Sequence, residues 1–387
     1  MIHIDRRSNL QLNLGQRQAM DAIAYVLNKL SWAIDEGEIL ERENPFSRGI
    51  GWEDSRGNRI QVLAPQDKFA KLRGDSGPCL FGLSDLLRAM VRGTHDPDIR
   101  AALSEGLDAA GGVTVPTKLT REIIDQMRAR TVVVRAGART ADLTTLKTSI
   151  ARVTSDPVAS WRLENAAVAE SDMTFDSVQF VPRSLAVLIK MSRELLEDSL
   201  NVEEAVRNAL SGAMAVEVDR VALFGSGTAP EPRGLFNTAG VSSVSMGTNG
   251  GQLTDYTKIL DCLLELENAN AGAPSAMILA PRTWRTIQGF VDTTGQPLTP
   301  PQALASLPQL VTTIVPINQT QGTAANASSI IVGDFAQLVL GVRSELRIEL
   351  LREAFSTNMQ IAFLAHLRMD VAVTQPKAFC ILKGITP

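Results

Sequence analysis

The sequence predicts an α+β fold with mixed or antiparallel sheet, and three observations carry that reading. An apolar-faced helical stretch runs from about Val202 to Phe224. An extended region lies between about Ala141 and Met191, where Leu185, Val187, Ile189 and Met191 alternate with other residues. After about Ala276, short β-rich segments are separated by glycine and proline, and the few helical patterns among them are short. Helices and strands of this kind, mixed along one chain, indicate layers of helix on sheet.

The 387 residues are enough to bury a sizeable core and to divide into two or three lobes. Apolar residues make up 44% and charged residues 21%, the composition of an ordinary globular chain. A formal net charge of −4 does not suit a dedicated nucleic-acid binder, which needs clustered Lys and Arg to neutralise phosphates. Cys79, Cys262 and Cys380 have no paired spacing, so neither a disulfide framework nor a zinc site is expected. No charged-then-apolar secretory start occurs, and runs such as Leu185 to Ile189 fall far short of a membrane span. Synthesis in a reducing cytoplasm is the expectation.

Taken in order, residues 1 to about 75 hold one amphipathic helix, about Gln16 to Asp35, and then a glycine- and charge-rich stretch. A second helix is expected over Phe81 to Val91, and the small residues from Ala109 to Pro116 read as a linker. Leu119, Ile123, Ile124 and Met127 mark a helix from Thr117 to about Arg130, followed by the β-branched run Thr131 to Val134, which opens strand territory. Two extended arms around an acidic, alanine-rich tip fill 141–191, and a hairpin of that length must lie on something to be stable.

The next helix, 202–224, is assigned a face of Val202, Ala205, Val206, Ala209, Leu210, Ala213, Val216 and Phe224. Asn201 is its expected N-cap, with Glu204 three residues on, and Gly225-Ser-Gly227 ends it. At roughly 1.5 Å per residue it is about 35 Å long, the axis of a lobe. Beyond it a helix is expected over Leu253 to Ala269, a buried strand over Ala276 to Ala280 and a helix starting at Pro281. The β-rich segments are Val311 to Pro316, Ile330 to Val332, Leu338 to Val342, Leu346 to Leu351, Met359 to Met369 and Ala378 to Leu382.

The sequence contains no G-x-x-x-x-G-K-[ST] phosphate loop, no H-E-x-x-H metal motif and no G-x-S-x-G nucleophile elbow. Ser226 between two glycines is explained by helix termination, and His366 reads as a hydrogen-bonded strand histidine. No Cys, Asp or Glu arrangement around His3, His95 or His366 has metal-like spacing. Glu197 with Asp198, and Glu203 with Glu204, lie at a helix start, where carboxylates complement the dipole. No catalysis, cofactor or metal is expected.

One charge pattern stands out. The segment Lys118 to Arg139 carries +4, from Lys118, Arg121, Arg128, Arg130, Arg135 and Arg139 against Glu122 and Asp125. The hairpin tip, Arg162 to Asp176, carries −3, from Glu164, Glu170, Asp172 and Asp176 against Arg162. Solvated faces would explain both. The alternative is that the acidic hairpin docks on the basic segment of a neighbouring copy, since complementary potentials fix register in assemblies.

Five stretches, in this order, resemble the tailed-bacteriophage major capsid family: Gly111-Gly-Val-Thr-Val-Pro116; Glu164 to Phe175; Ser192 to Ser199; Phe224-Gly-Ser-Gly-Thr with Pro232-Arg-Gly-Leu235; and Ala280-Pro-Arg-Thr-Trp284. The resemblance implies the Hong Kong 97-type capsid fold. It then assigns residues 1–100 to an N-terminal extension, scaffolding-like or cleaved, 101–140 to an N-terminal arm and 141–191 to an extended hairpin, the E-loop. A peripheral lobe with the long spine helix takes 192–250, an axial lobe 251–343, and return strands of the peripheral lobe 344–387.

The implied function is self-assembly into pentamers and hexamers of an icosahedral virion shell around double-stranded DNA, built in the bacterial host cytoplasm. The implied partners are other copies, a portal, and scaffold, protease or decoration proteins, with non-specific DNA contact and no membrane. Some relatives lock subunits with a Lys–Asn bond near the hairpin tip. Here Asn165 and Val168 are present but no lysine lies between Lys147 and Lys190, so non-covalent closure is expected. An encapsulin-type shell around protein cargo is the nearest alternative, and a monomeric α/β enzyme the alternative of another class.

Overall fold

The computed structural model describes residues 60–68, 113–114, 117–143, 148–155, 174–192, 202–292, 294–343, 347–351 and 358–387, with isolated positions between 89 and 100 and at 355. Two short strands, β1 (Val62–Leu63) and β2 (Val113–Thr114), are the first strands among the described residues. Helices α1 (Thr117–Arg130) and α2 (Val132–Ala136) follow, then β3 (Arg139–Asp142), β4 (Thr148–Ser155), β5 (Thr174–Phe180) and β6 (Arg183–Ser192). The long helix α3 (Val202–Phe224) leads to β7 (Ser242–Ser245), β8 (Gly251–Gln252), α4 (Thr257–Asn268), β9 (Ala276–Leu279) and α5 (Pro281–Gln288). The rest comprises α6 (Gln302–Ala305), β10 (Gln309–Val311), β11 (Gln319–Gln321), β12 (Ala324–Gly333), β13 (Leu338–Val342), β14 (Arg347–Leu351), β15 (Gln360–Val373) and β16 (Phe379–Thr386).

Three sheets result. The first has seven strands, ordered β1-β3-β13-β15-β14-β2, with β6 also paired to β15. The second has β10-β9-β12-β16-β7, with β11 on β12 and β8 on β16. The third is the hairpin β4-β5 alone. Both ends of the first sheet's path are two-residue strands from the N-terminal region, so short chain segments occupy the edges where ladder groups would otherwise be free.

The second sheet is covered on both faces, and its alternation shows how. Ala276 and Ile278 of β9, Ile331 of β12 and Phe379 and Ile381 of β16 belong to the main core with α1, α2 and α3. The intervening Met277, Leu279, Ile330, Val332, Cys380 and Leu382 belong to a second core with Ile259, Cys262 and Leu266 of α4 and Ile287 of α5. Period-two strands therefore serve two cores with one sheet. Cys262 and Cys380, 118 positions apart in sequence, meet in that second core as buried free thiols. Cys79 lies outside the described residues.

Helix α3 has the predicted bounds and buries Val206 and Leu210 as expected, but its buried face is rotated away from the expected alanines and Val216. Val206, Leu210, Met214, Val218 and Ala222, each four residues on, point into the main core, and Ala205, Ala209, Ala213 and Val216 are exposed. Burying Val, Leu or Met gains about 1.5–3 kcal/mol each, whereas alanine loses little in water and is the best helix former. The larger side chains therefore set the rotation. The expected cap Asn201 lies outside the described residues.

The inner face also holds Asp219, 1% exposed, whose carboxylate accepts N–H bonds from Val132 (2.8 Å) and Val133 (2.9 Å). This corrects the expected strand start: the β-branched run becomes helix α2 because a carboxylate from α3 satisfies its first N–H groups. Tertiary contact here overrides the local preference of valine. Three further corrections concern boundaries. β6 lies in the first sheet, so the free hairpin is β4-β5 and not all of 141–191. β13, placed in the axial segment 251–343, pairs with β3 and β15 in the first sheet. β16, placed among the peripheral return strands, joins β12, β7 and β8 in the second, where its alternating residues complete both cores.

The turn after α3 crosses back over its own helix end. Gly234 N–H donates to the Gly225 carbonyl (2.9 Å) and Gly227 N–H to the Pro232 carbonyl (3.1 Å). A Cβ on Gly225 would collide with the Pro232 and Val221 carbonyls, and one on Gly234 with Gly225 N and the Val221 carbonyl. Arg220 fastens the same turn, bonding Glu217 and Glu231 at 2.7 Å each. Gly234→Ala is expected to destabilise the chain by more than about 2 kcal/mol, because backbone atoms have to separate. Urea denaturation of the variant beside wild type measures it; a change within about 0.5 kcal/mol would contradict the crossing.

Burial raises the Asp219 pKa to about 6, against the opposing pull of its two N–H bonds. The folded chain then holds a proton that the unfolded chain has released between about pH 4 and pH 6. Asp219 thus favours folding most below about pH 4, and that contribution is lost as pH rises through about 6. Asp219→Asn should flatten the stability profile across this window, as read from denaturation midpoints measured every half unit of pH.

Candidate assembly surface

No group of three or more His, Cys, Asp or Glu side chains suited to a metal ion occurs among the described residues. Ser226 is engaged with the Thr228 hydroxyl at 2.9 Å in the turn after α3, and half-buried His366 stands on β15 opposite Ala186 and Arg347. Ser226 also touches the Glu231 carboxylate, which is held by Arg220 at 2.7 Å. The surfaces with functional content are those that an assembly would use.

The hairpin β4-β5 pairs from Thr148 opposite Phe180 to Ser155 opposite Thr174. Its base is seated in the body of the protein. Phe180 and Thr148 are buried, and Phe180 joins Ile60, Ala141, Leu143, Val339 and Ala372 in a small core on one face of the first sheet. Gly341 of β13 makes room for it, since a Cβ there would fall 2.7 Å from Leu143 Cδ1 and 2.9 Å from the Phe180 ring. Where the chain leaves the hairpin for β6, Val181 N–H donates to the Asp370 carboxylate at 2.6 Å. Asp370 also accepts from its own neighbour, the Val371 N–H, at 2.8 Å, and burial raises its pKa against these bonds. Sequence reasoning missed Asp370, although an acidic residue inside a fourteen-residue apolar strand is a visible signal.

The basic residues do not act as one patch. Arg128 is 4% exposed: Nε donates to Thr140 Oγ1 (3.0 Å), Nη1 to the Asp67 carbonyl (2.8 Å) and to Asp125 (3.3 Å), and Nη2 to the Ala64 carbonyl (3.0 Å). Its guanidinium is occupied within the subunit, which removes it from the set of inter-subunit candidates. Arg130 donates to the Asn208 carbonyl (2.6 Å) and side chain (2.9 Å), bracing α1 on α3. Arg135 is exposed at the end of α2, and Arg139 is half-buried on β3. Arg121 lies on α1 and Asp176 on β5, opposite Arg152 in register. Glu164, Asn165, Val168, Glu170 and Asp172 lie outside the described residues.

The second core carries apolar surface outward. Leu260 and Leu264, one turn apart on α4, are 36% and 54% exposed, with Trp284, Val291, Val311 and Ile317 exposed on the same part of the chain. Beside α4 lies a cavity of about 500 Å³ lined by Leu263, Leu266, Pro274 and Leu307.

Comparison with known proteins agrees with this architecture. A sequence model of the phage capsid family matches residues 111–384. The chain is 24% identical over 270 residues to the major capsid protein of Klebsiella oxytoca phage phiKO2, covering 67% of this chain and 62% of that one. It is 26% identical over 290 residues to the major capsid protein of Enterobacteria phage HK97, covering 73% and 72%. Among solved structures, the capsid of a native GTA particle aligns with a TM-score of 0.53 at 20% identity, covering 66% of this chain and 90% of that one. A Gordonia phage Cozz structure aligns at 0.51 and 17%, covering 65% and 86%. The fold is the Hong Kong 97-type capsid fold. With a family match over more than two thirds of its length, the chain belongs to the phage capsid family.

Proposed function

We propose that the chain is a major capsid subunit whose copies form the pentamers and hexamers of an icosahedral shell around double-stranded DNA. The observation that carries this reading is the two-stranded sheet β4-β5, seated in the body at its base and joined by no third strand among the described residues. A lone two-stranded hairpin is at best marginally stable in water, so its stability has to come from a surface outside the subunit. A neighbouring copy supplies one. The role needs no catalytic constellation and no cofactor. Other copies are the principal partners; a portal, scaffold, protease or decoration protein and non-specific contact with DNA belong to the same reading, with assembly in the bacterial host cytoplasm and the virion capsid as destination.

Within that role, the hairpin tip with Glu164, Glu170, Asp172 and Asp176 meets the basic arm of the next copy. The exposed Arg135 is its main counter-charge, and Arg121, Arg130 and Arg139 contribute to the surrounding potential. Arg128 takes no part, being buried. Complementary charge at such a contact sets register more than it adds affinity.

The test expresses the chain alone and images the product by electron microscopy, with closed shells expected. Glu170→Lys with Asp172→Lys should raise the protein concentration needed for assembly roughly fivefold, since an exposed ion pair is worth up to about 1 kcal/mol. Asp176 is left intact because a lysine there would face Arg152 across the hairpin. Adding Arg135→Glu should restore assembly, whereas reversal on one side with no effect on concentration or salt dependence would remove the charge contact from the proposal.

A further inference from the structure

The sequence places a domain boundary near residue 100, yet part of the region before it is built into the first sheet. β1 pairs antiparallel with β3, Val62 opposite Ala141 and Leu63 opposite Thr140, and the ladder continues through Asp142 N–H to the Gln61 carbonyl at 3.2 Å. Ile60 and Leu63 are buried, Leu63 in the main core and Ile60 in the small core under the hairpin base. The chain then turns: Asp67 N–H donates to the Ala64 carbonyl (3.1 Å), and the Asp67 carboxylate accepts from Ala64 N–H (2.9 Å).

Arg128 holds that turn from below. Its two terminal nitrogens reach the outward carbonyls of Ala64 and Asp67, and its Nε is fixed by Thr140, itself fully buried on β3. A guanidinium that is 4% exposed keeps its charge in the interior only while its donors are occupied. If residues 60–67 left, two of its four partners would go with them, and β3 would become an open sheet edge. This segment lies upstream of residues 111–384, so the family match does not include it.

We propose that Arg128, Thr140 and the outer edge of β3 form a binding site for an extended peptide segment, and that residues 60–67 of this chain are its permanent occupant. Any shortening of the N-terminal region during shell assembly therefore leaves residues 60–67 in the subunit, by cutting upstream of Ile60 or by leaving the severed segment bound. The last statement rests on the shell reading; the site itself does not.

Two measurements separate them. Hydrogen–deuterium exchange of the full chain in solution should show the peptide covering 60–67 protected like the β3 peptide, and Arg128→Met should speed its exchange roughly tenfold or more while 276–279 keep their protection. Exchange of 60–67 at the rate of unstructured chain in the wild type overturns the site, whether or not particles form. Mass spectrometry of subunits from purified particles should then find the chain starting at or before Ile60, or a fragment containing 60–67 in equal amount. Subunits starting after Asp67 with no such fragment overturn the retention.

Discussion

The Asp219 carboxylate accepts N–H bonds from Val132 and Val133 at the start of α2, and at the other end of that helix the Ser275 hydroxyl donates to the Ala136 carbonyl at 2.8 Å. The same hydroxyl accepts from Phe335 N–H at 2.9 Å. One short helix is thus gripped by α3 at its first turn and by the approach to the second sheet at its last. The chain leaves it directly into β3 of the first sheet. Isolated helices this short do not persist in water, so α2 exists because both ends are held, and its existence sets where α3 and the two sheets meet. Gly137, at φ +127°, makes the turn out of α2 in a backbone region that other residues rarely adopt.

From that junction the division of labour follows. Some residues that serve the subunit's own stability are inward and packed or hydrogen-bonded, whereas some large apolar side chains are left facing water. Phe180 and Asp370 illustrate the first kind: one anchors the hairpin base by burial and the other ties down the backbone where the hairpin ends and β6 begins. Among the described residues, β4 and β5 pair only with each other. Leu260 and Leu264 illustrate the second kind, since about 25 cal/mol per Å² of apolar surface is forgone while they face water. A shell protein has to balance these, because a subunit that satisfied every surface alone would have no reason to associate.

Much of the fold was legible in the sequence, and the misses share a cause. The bounds of α1 and α3, the buried strand β9, the Pro281 helix start and β13 follow from local periodicity and caps. The rotation of α3 did not, because a pattern of alanines reads as apolar although alanine is nearly indifferent to exposure. Helix α2 was read as strand since its cap sits 87 positions away on another element. The destinations of β6, β13 and β16 are pairing choices made over long sequence separations, where hydrophobic alternation says that a strand forms but not which sheet receives it. Of the candidate contact residues, the charge segregation was legible and the fate of each arginine was not.

Arg128 and Arg135 show why. Both lie in the same basic segment and contribute equally to its +4, yet one is buried with four oxygen partners of its own chain and the other is exposed. The difference is set by what stands opposite: a turn with two outward carbonyls above α1, and solvent beyond the end of α2. Charge summed along a sequence therefore overstates what a neighbour can feel. The arm presents fewer free cations than its composition implies, and the segment that consumes one of them belongs to the structural body even though it lies before the region shared with the family. For this chain, the boundary between the appendage and the fold is drawn by an arginine's hydrogen bonds and not by composition.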